Sequence, residues 1–119
     1  MAEGVGFDRK VDRITKAFPK SELFVLVPQM KRATDSIALN IAEGSTGQSN
    51  AEFNKFLGYA VRSTVEVVGC LFITKKKNII DTMIFDELYH DLSGLAKGIQ
   101  ALRNSLDKQS VLQTKKPNK

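Results

Sequence analysis

Tryptophan is absent from this chain of 119 residues, and cysteine and histidine occur once each. The lone thiol, Cys70, cannot form an internal disulfide, which agrees with a reducing compartment. No apolar run approaches the roughly 18 residues of a membrane span, and the N-terminal sequence Met-Ala-Glu-Gly lacks the charged-then-apolar pattern of a signal peptide. We therefore expect a soluble, cytoplasmic protein that does not enter a membrane.

The chain also has few of the residues that catalysis and metal binding require. Di-iron sites in four-helix bundles take two Glu-x-x-His pairs, whereas Glu87 and His90 form a single such pair here and project away from the apolar side of their helix. Cys70 lies in an apolar stretch, which favours a buried, unreactive thiol. Phosphate-binding glycine motifs and Cys/His zinc spacings are missing. The sequence predicts no catalytic residue, no metal site and no cofactor.

Apolar residues recur every three or four positions through most of the chain, which is the periodicity of amphipathic helices. A first helix is predicted over about residues 7–18, ended by Pro19, which disfavours helix in the residue before it. A second helix is predicted to begin after Ser21, with Pro28 either in its first turns, where a missing donor costs least, or at a kink. It should stop at Gly44, a residue suited to the left-handed position after a helix end.

Polar residues mark the ends of two longer helices. Ser49 and Glu52 have the spacing of a capping box, which begins a third helix. Asn78 is a candidate for the left-handed position that ends it, and Asp81 then caps a fourth helix. The fourth helix has the most regular apolar pattern in the chain, the heptad seam of a packed helix. The seam consists of Phe85, Leu88, Leu92, Leu95, Ile99, Leu102 and Leu106.

The third helix has an unusually wide apolar side. Between residues 53 and 72 the apolar positions cover an arc about 180° wide, more than one packing partner needs. Gly58 and Gly69 project at the edge of this arc, where a missing side chain would let another backbone come close. We interpret the arc as covered on one side by its own bundle and on the other by a second subunit.

These segments predict an all-α fold. Because the links between helices are short, we expect an antiparallel up-down-up-down four-helix bundle over residues 1–107. The apolar periodicity stops there, so residues 108–119 are predicted to form a flexible basic tail.

The net charge of +5 is unevenly distributed. The predicted tail holds four lysines and no acid, which leaves residues 1–107 at +1. Within the bundle, residues 45–80 carry five basic and two acidic side chains, whereas residues 81–107 carry two basic and five acidic ones. Positive charge is therefore concentrated on the third helix and the tail.

Several short motifs, taken in order, carry a family resemblance. They are Phe18-Pro19-Lys20-Ser21-Glu22-Leu23, Gln29-Met30-Lys31-Arg32-Ala33, Ser36-Ile37, the specific block Asn40-Ile41-Ala42-Glu43-Gly44, and Glu52-Phe53 with Phe56-Leu57. Over about residues 11–106 the chain resembles the bacterial four-helix bundle proteins encoded in intervening sequences of 23S ribosomal RNA genes. The resemblance extends to the accessory protein of diversity-generating retroelements, which works beside a reverse transcriptase. It implies a homo-oligomer, most simply a pentameric ring, with no enzymatic activity and with RNA or DNA binding as the leading expectation.

Candidate nucleic-acid contacts follow from the charge and from the resemblance. Lys31 and Arg32 match the family's basic pair, and two interpretations stay open for them: a phosphate-binding surface in a ring of five copies, or solvated helix-face residues. Asn40 and Glu43 are interpreted as fixing the helix end, so the block from Asn40 to Gly44 is structural. The third helix and the tail supply the other candidates, which are Lys55, Arg62, Lys75, Lys76, Lys77, Lys115 and Lys116.

Two functional hypotheses result. In the first, the oligomer binds RNA or DNA electrostatically, because five chains of +5 would together carry about +25. Aromatic stacking on bases is not expected, since only Tyr59 and Tyr89 fall outside core positions. In the second, the oligomer is a scaffold whose apolar faces recruit a partner protein such as a reverse transcriptase.

Overall fold

The structure is a computed structural model that describes residues 2–47 and 49–115. This part of the chain contains four α-helices and one short 3-10 turn, and no strand. The helices are α1 (Ala2–Thr15), α2 (Leu26–Ser45), α3 (Asn50–Lys76) and α4 (Thr82–Lys115), and the 3-10 turn η1 (Lys20–Glu22) lies between α1 and α2. The predicted all-α class is confirmed, and the helices pack as a bundle.

The connection between α1 and α2 is longer than predicted. Helix α1 ends at Thr15, and two tight backbone bonds, Ala17 N to Ile14 O and Phe18 N to Thr15 O, both 3.1 Å long, close its last turn before Pro19. Helix α2 begins at Leu26 rather than directly after Ser21, because η1 takes up the intervening residues. Pro28 is the third residue of α2, so the prediction that it lies in the first turn, where its missing N–H costs least, is confirmed.

The predicted caps of the two long helices are present. Ser49 Oγ accepts a hydrogen bond of 3.0 Å from the backbone N–H of Glu52 at the start of α3. Asp81 Oδ1 accepts one of 2.8 Å from the N–H of Ile84 at the start of α4. Asn78 has a φ of 60°, the left-handed conformation expected after the end of α3. Local sequence therefore determines where these helices begin and end.

The prediction that Gly44 ends α2 in a left-handed conformation is wrong. Gly44 is buried inside α2, which continues to Ser45, and no glycine in the described ranges has a positive φ. A Cβ on Gly44 would lie 2.7 Å from Phe56 Cβ and 2.9 Å from Phe53 Cδ1. Glycine is required because α3 approaches the backbone of α2 too closely for any side chain.

Helix α3 is the central packing element, in contact with both α2 and α4, and α1 completes the bundle by packing on the same two helices. The start of α3 meets the end of α4, where Arg103 Nε donates to Asn54 Oδ1 at 2.8 Å. At the other end, the rings of Phe72 and Phe85 meet edge to face with centroids 5.0 Å apart. The buried core takes residues from all four helices.

The α4 seam is confirmed with one exception. Phe85, Leu88, Leu92, Leu95, Ile99 and Leu106 are buried, whereas Leu102 is 40% exposed. Helix α4 also continues to Lys115, so the backbone stays helical for eight residues beyond the predicted bundle boundary at residue 107. The regular apolar pattern of α4 ends with the core, whereas the helix itself continues to Lys115.

By length and composition alone, α3 could cross a membrane. No membrane span was expected from the sequence, because only uninterrupted apolar runs were considered there. The core helix of a bundle passes the same test, and α3 buries Leu57, Ala60, Val67 and Leu71 between its neighbours. Its packing is that of a core helix.

Part of the wide apolar side of α3 stays uncovered. Val65 is 65% exposed and Phe72 is more than half exposed, while Val61 and Val68 are partly buried against the core. The two glycines at its edge do not receive a backbone within the described chain. The Arg103 guanidinium would lie 3.3 Å from a Cβ on Gly58, and nothing lies within 4 Å of one on Gly69.

Candidate nucleic-acid interface

Three of the predicted basic residues form a row on the outer side of α3. Lys55, Arg62 and Lys76 are exposed, and their spacing by multiples of seven places them on the same side of the helix, about 10 and 20 Å apart along it. We call these three residues the α3 row. In the described part of the chain, none of them has an acidic partner within 4.0 Å. Glu66, one turn after Arg62 on the same side, is the acidic interruption of the row.

The other two lysines of the 75–77 run do not join this row. Lys75 Nζ lies 4.4 Å from the centroid of the Phe85 ring, a cation–π contact with α4. Lys77 Nζ lies 2.9 Å from Glu22 Oε2, an ion pair with η1. Lys75 and Lys76 point about 100° apart as consecutive helical residues, and Lys77 follows the end of α3, so the three lysines do not form one site.

Lys31 and Arg32 are likewise divided between two sides of α2. Lys31 Nζ lies 3.6 Å from Asp12 Oδ1 and faces α1, whereas Arg32 is exposed about 100° away around the helix. The two residues do not form one paired site within a single chain. The side chain of Lys115 and the whole of Lys116 lie outside the described residues.

The family block at the end of α2 packs α2 against α3. Asn40 Nδ2 donates to Ser36 O at 2.8 Å and to Ser36 Oγ at 3.0 Å, and Ser63 Oγ of α3 donates to the same Ser36 Oγ at 2.9 Å. Asn40 thus bonds one turn back along its own helix rather than to the loop that follows. Buried Gly44 provides the close approach to α3 described above.

The remaining residues of the block face outward or close the helix end. Ile41 is partly buried against the core, while Ala42 and Glu43 are exposed. The backbone carbonyls of Ala42 and Glu43 accept hydrogen bonds from the hydroxyls of Ser45 and Thr46, at 2.8 and 2.9 Å. These bonds satisfy carbonyls that a helix end leaves without a partner.

A second basic surface was missed by the sequence reasoning. Arg9, Arg13 and Lys16 are exposed, and their spacing of four and three residues places them on the side of α1 opposite Phe7 and Val11. The three- and four-residue spacing that identified the apolar side of α1 also places these three basic residues together on the opposite side. Asp8 and Asp12 alternate with these cations along the sequence, so the cations do not stand out as a basic run.

The acidic residues near this surface crowd one another. Burial raises the pKa of Asp8 above its ordinary value, and the nearby carboxylates of Asp35 and Asp12 raise it further. A carboxyl group whose pKa is raised by folding weakens the folded state once it ionises, so its cost is absent at low pH and grows as pH rises above about 4.

Asp8→Asn is therefore expected to stabilise the protein at pH 7. Because Asp8 is only partly buried, screening by solvent should hold the gain to roughly 0.5 kcal/mol or less. The measurement is the difference in free energy of unfolding between the variant and the parent in urea, at pH 7 and at pH 3. The gain should disappear at pH 3, where Asp8 is protonated in both states; a gain that persists there would point to a cause other than charge.

Residues weighed for catalysis and metal binding occupy unreactive positions. Cys70 is buried, and burial raises the pKa of its thiol, with a smaller contribution from Glu66, which disfavours the nucleophilic thiolate. Glu87 and His90 are exposed as predicted, and Glu87 pairs with Lys10 at 2.9 Å. In the side chains that the structure describes, no group of three His, Cys, Asp or Glu residues could hold a metal ion.

Helices packed around a common core, with no strand in the described part of the chain, define a protein of the all-α helical-bundle class. Within that class, the chain belongs to the family of 23S rRNA-intervening sequence proteins, which it matches over residues 2–101. The family resemblance of the short motifs is confirmed.

A solved structure shows the same fold. The crystal structure at 1.70 Å resolution of a protein with unknown function from the S23 ribosomal protein family of Bacteroides thetaiotaomicron VPI-5482 superposes with a TM-score of 0.80. Its sequence is 21% identical, and the alignment covers 87% of this chain and 93% of that one. Among curated proteins, no significant match is found. Neither the family description nor the description of this structure names a catalytic activity.

Proposed function

We propose that this protein is a non-catalytic, homo-oligomeric bundle, antiparallel and up-down-up-down in arrangement, that binds structured RNA or DNA through exposed basic residues. The single observation that carries the proposal is the α3 row, defined above as Lys55, Arg62 and Lys76. Cations without an acidic partner, about 10 and 20 Å apart on one helix side, suit a polyphosphate backbone. Membership in a family described by 23S rRNA intervening sequences favours RNA as the polyanion.

Binding of this kind is electrostatic, so it should depend steeply on salt. Each phosphate contact that is lost should reduce the slope of log K against log salt concentration by about 0.9 for a duplex. The double variant Lys55→Gln/Arg62→Gln should therefore bind a structured RNA more weakly, with a slope lower by roughly 2 for each subunit that contacts the RNA. Filter-binding titrations at several salt concentrations measure both quantities.

The matched control compares the single variants Arg62→Gln and Lys97→Gln, the second of which removes the same charge from an exposed position on α4. Equal losses in these two single variants would show that net charge, and not the α3 row, determines binding. A parent protein that binds no RNA at low salt, or binds with an affinity indifferent to salt, would contradict the proposal. The other predicted contacts are Lys31, Arg32, Lys115 and Lys116. The same titration of their glutamine variants would measure how much each contributes to RNA affinity.

Self-association is the second element of the proposal. Val65 and Phe72 expose apolar side chains on α3, next to Tyr89 of α4, whose ring lies 6.2 Å from that of Phe72. An apolar surface of this kind is expected to be buried against another copy, and the family resemblance predicts five copies. Arg62 and Lys76 lie three and four residues from Val65 and Phe72 on the same side of α3. In the proposed assembly they therefore border the contact between copies, and their charges would be presented to one RNA along its rim.

Val65→Lys is expected to dissociate the oligomer, because it places a charge in the centre of the proposed contact. Sedimentation velocity at micromolar concentration should show the parent as an assembly of several 13.2-kDa chains and the variant as a single chain. Leu39→Lys, at an equally exposed apolar position on α2, is the control and should leave the assembly intact. A parent that sediments as one stable subunit would contradict self-association.

A protein-recruiting scaffold is the second candidate function, and the same exposed apolar surface of α3 favours it. If the parent sediments as one chain, Val65 and Phe72 stay available to a different protein. Pull-down from the native host, with Val65→Lys as the negative control, would distinguish the two functions. Recovery of only nucleic acid and further copies of the chain would count against a protein partner.

A further inference from the structure

Three consecutive apolar side chains protrude at one end of the bundle, between η1 and α2. The ring of Phe24 is 87% exposed, and its neighbours Leu23 and Val25 are both more than half exposed. Burying such side chains is worth roughly 2 kcal/mol each, so three adjacent exposed ones form a patch of the kind that marks a binding site. We call these three residues the tip.

The backbone of the tip is held in place by η1. The N–H groups of Glu22, Leu23 and Val25 donate to the carbonyls of Pro19, Lys20 and Glu22, at 2.9, 3.1 and 3.3 Å. Glu22 is buried, and its carboxylate is held by the ion pair of 2.9 Å with Lys77. The turn therefore has little freedom to fold the Phe24 ring back onto the core.

A cationic groove lies directly beside the tip. It has a volume of about 350 Å³ and is formed by the end of α1, the link to η1 and the first turns of α2. Phe18, Pro19 and Val27 form the apolar part of its wall, and Lys16, Lys20 and Lys31 line it as well. The amino group of Lys31 also lies 3.6 Å from Asp12 Oδ1. Leu23 belongs both to the groove and to the tip.

We propose that the tip and this groove bind an unpaired nucleotide of a single-stranded segment, with its base stacked on Phe24 and its phosphate held by the lysines. The inference rests on the proposed nucleic-acid binding and specifies its substrate class as RNA with unpaired residues. Two observations converge on it. Three lysines lining one groove favour an anionic occupant, and an exposed aromatic ring offers the flat apolar surface on which bases stack.

The arrangement also corrects the expectation that no phenylalanine is free for stacking. Phe24 lies in an uninterrupted apolar run, and such a run does not show which of its side chains stay exposed. In the structure η1 interrupts the helix there and turns this run outward. Arg13 and Lys16, from the exposed basic side of α1, lead toward the same groove and extend the path available to the phosphate backbone.

The test compares a single-stranded RNA with a duplex RNA of equal length, using the full chain. Phe24→Ala should lower the affinity for the single strand by about 5-fold to 100-fold and leave the affinity for the duplex unchanged, because only unpaired bases can stack on the ring. Leu39→Ala, at another exposed apolar position on α2, should change neither. Lys20→Gln should reduce the salt slope for the single strand by about 0.7.

A spectroscopic readout is independent of affinity. The chain contains no tryptophan, so Phe24→Trp introduces a single indole that keeps the stacking surface. Saturation with the single strand should quench its fluorescence, because a base stacked on the indole quenches its excited state, whereas the indole of Leu39→Trp should be unaffected.

The outcomes separate this inference from the proposed function. Retained RNA binding with no loss in Phe24→Ala and no quenching in Phe24→Trp overturns the role of the tip and leaves the electrostatic proposal standing, whereas absence of all RNA binding overturns both. If Phe24→Ala instead dissociates the oligomer in sedimentation, the tip is occupied by another copy. If it abolishes binding to phosphatidylserine vesicles and not to RNA, the tip is occupied by a lipid surface. Either result means that the inference is wrong.

Discussion

Leu88→Ala is expected to lower the free energy of unfolding by about 2–5 kcal/mol, the largest effect of any single substitution considered for this chain. Leu88 lies on the α4 seam, and none of its surface is accessible to solvent. Truncation removes apolar contacts with the surrounding core and leaves a cavity that the other helices cannot fully close. Urea unfolding followed by circular dichroism, at one fixed protomer concentration so that self-association contributes equally, measures the difference.

Leu102→Ala provides the matched comparison, because periodicity alone assigns both leucines to the same seam. Leu102 is 40% exposed, so we expect its truncation to cost less than about 1 kcal/mol. A cost for Leu102→Ala equal to that for Leu88→Ala would mean that another surface covers this part of α4 in solution. A cost below 1 kcal/mol for Leu88→Ala itself would contradict the core described for α4.

Gly44→Ala is the second substitution with a large expected effect, about 1–3 kcal/mol of destabilisation. The added methyl group would lie 2.7 Å from Phe56 Cβ and 3.3 Å from the backbone oxygen of Phe53. The methyl group itself cannot rotate away, and both obstacles sit on or next to the backbone of α3, so the two helices would have to separate. Elsewhere in a helix the same substitution usually stabilises, by about 0.5–1 kcal/mol.

Gly98→Ala is the control, because there the same substitution is expected to stabilise the protein. Gly98 lies within α4, and nothing is within 4 Å of the position its Cβ would take. We expect Gly98→Ala to raise the free energy of unfolding and Gly44→Ala to lower it, both measured by urea unfolding at one protomer concentration. If the two variants moved in the same direction, helix propensity and not the α2–α3 contact would explain the glycine of the family block.

The helix ends show where sequence reasoning succeeds. The side chains of Ser49 and Asp81 accept hydrogen bonds from amides three residues ahead, at 3.0 and 2.8 Å, and Asn78 takes its left-handed φ of 60°. Each interaction involves neighbours within a few residues, so the local sequence contains all the information needed. The assignment of Gly44 failed for the opposite reason, since what requires glycine there is the approach of a different helix.

The candidate interface was only partly predictable. Counting charge by segment identified α3 as basic, and the α3 row confirms that Lys55, Arg62 and Lys76 share one exposed side of that helix. The count could not show that Lys77 pairs with Glu22, 55 residues away in sequence. It also could not find the groove beside Phe24, because residues from α1, η1 and α2 converge there only after folding.

The sequence by itself determined the helical class, the family, both limits of α3 and the start of α4, because periodicity, caps and short motifs act over a few residues. Only the tertiary structure decided which side chains on those helices stay exposed. That outcome depends on how far each neighbouring helix reaches and how closely it packs, as the exposure of Leu102, Val65 and Phe24 shows. Burial is a property of the assembled helices, and a side chain one turn beyond the last contact stays in water whatever its place in the pattern.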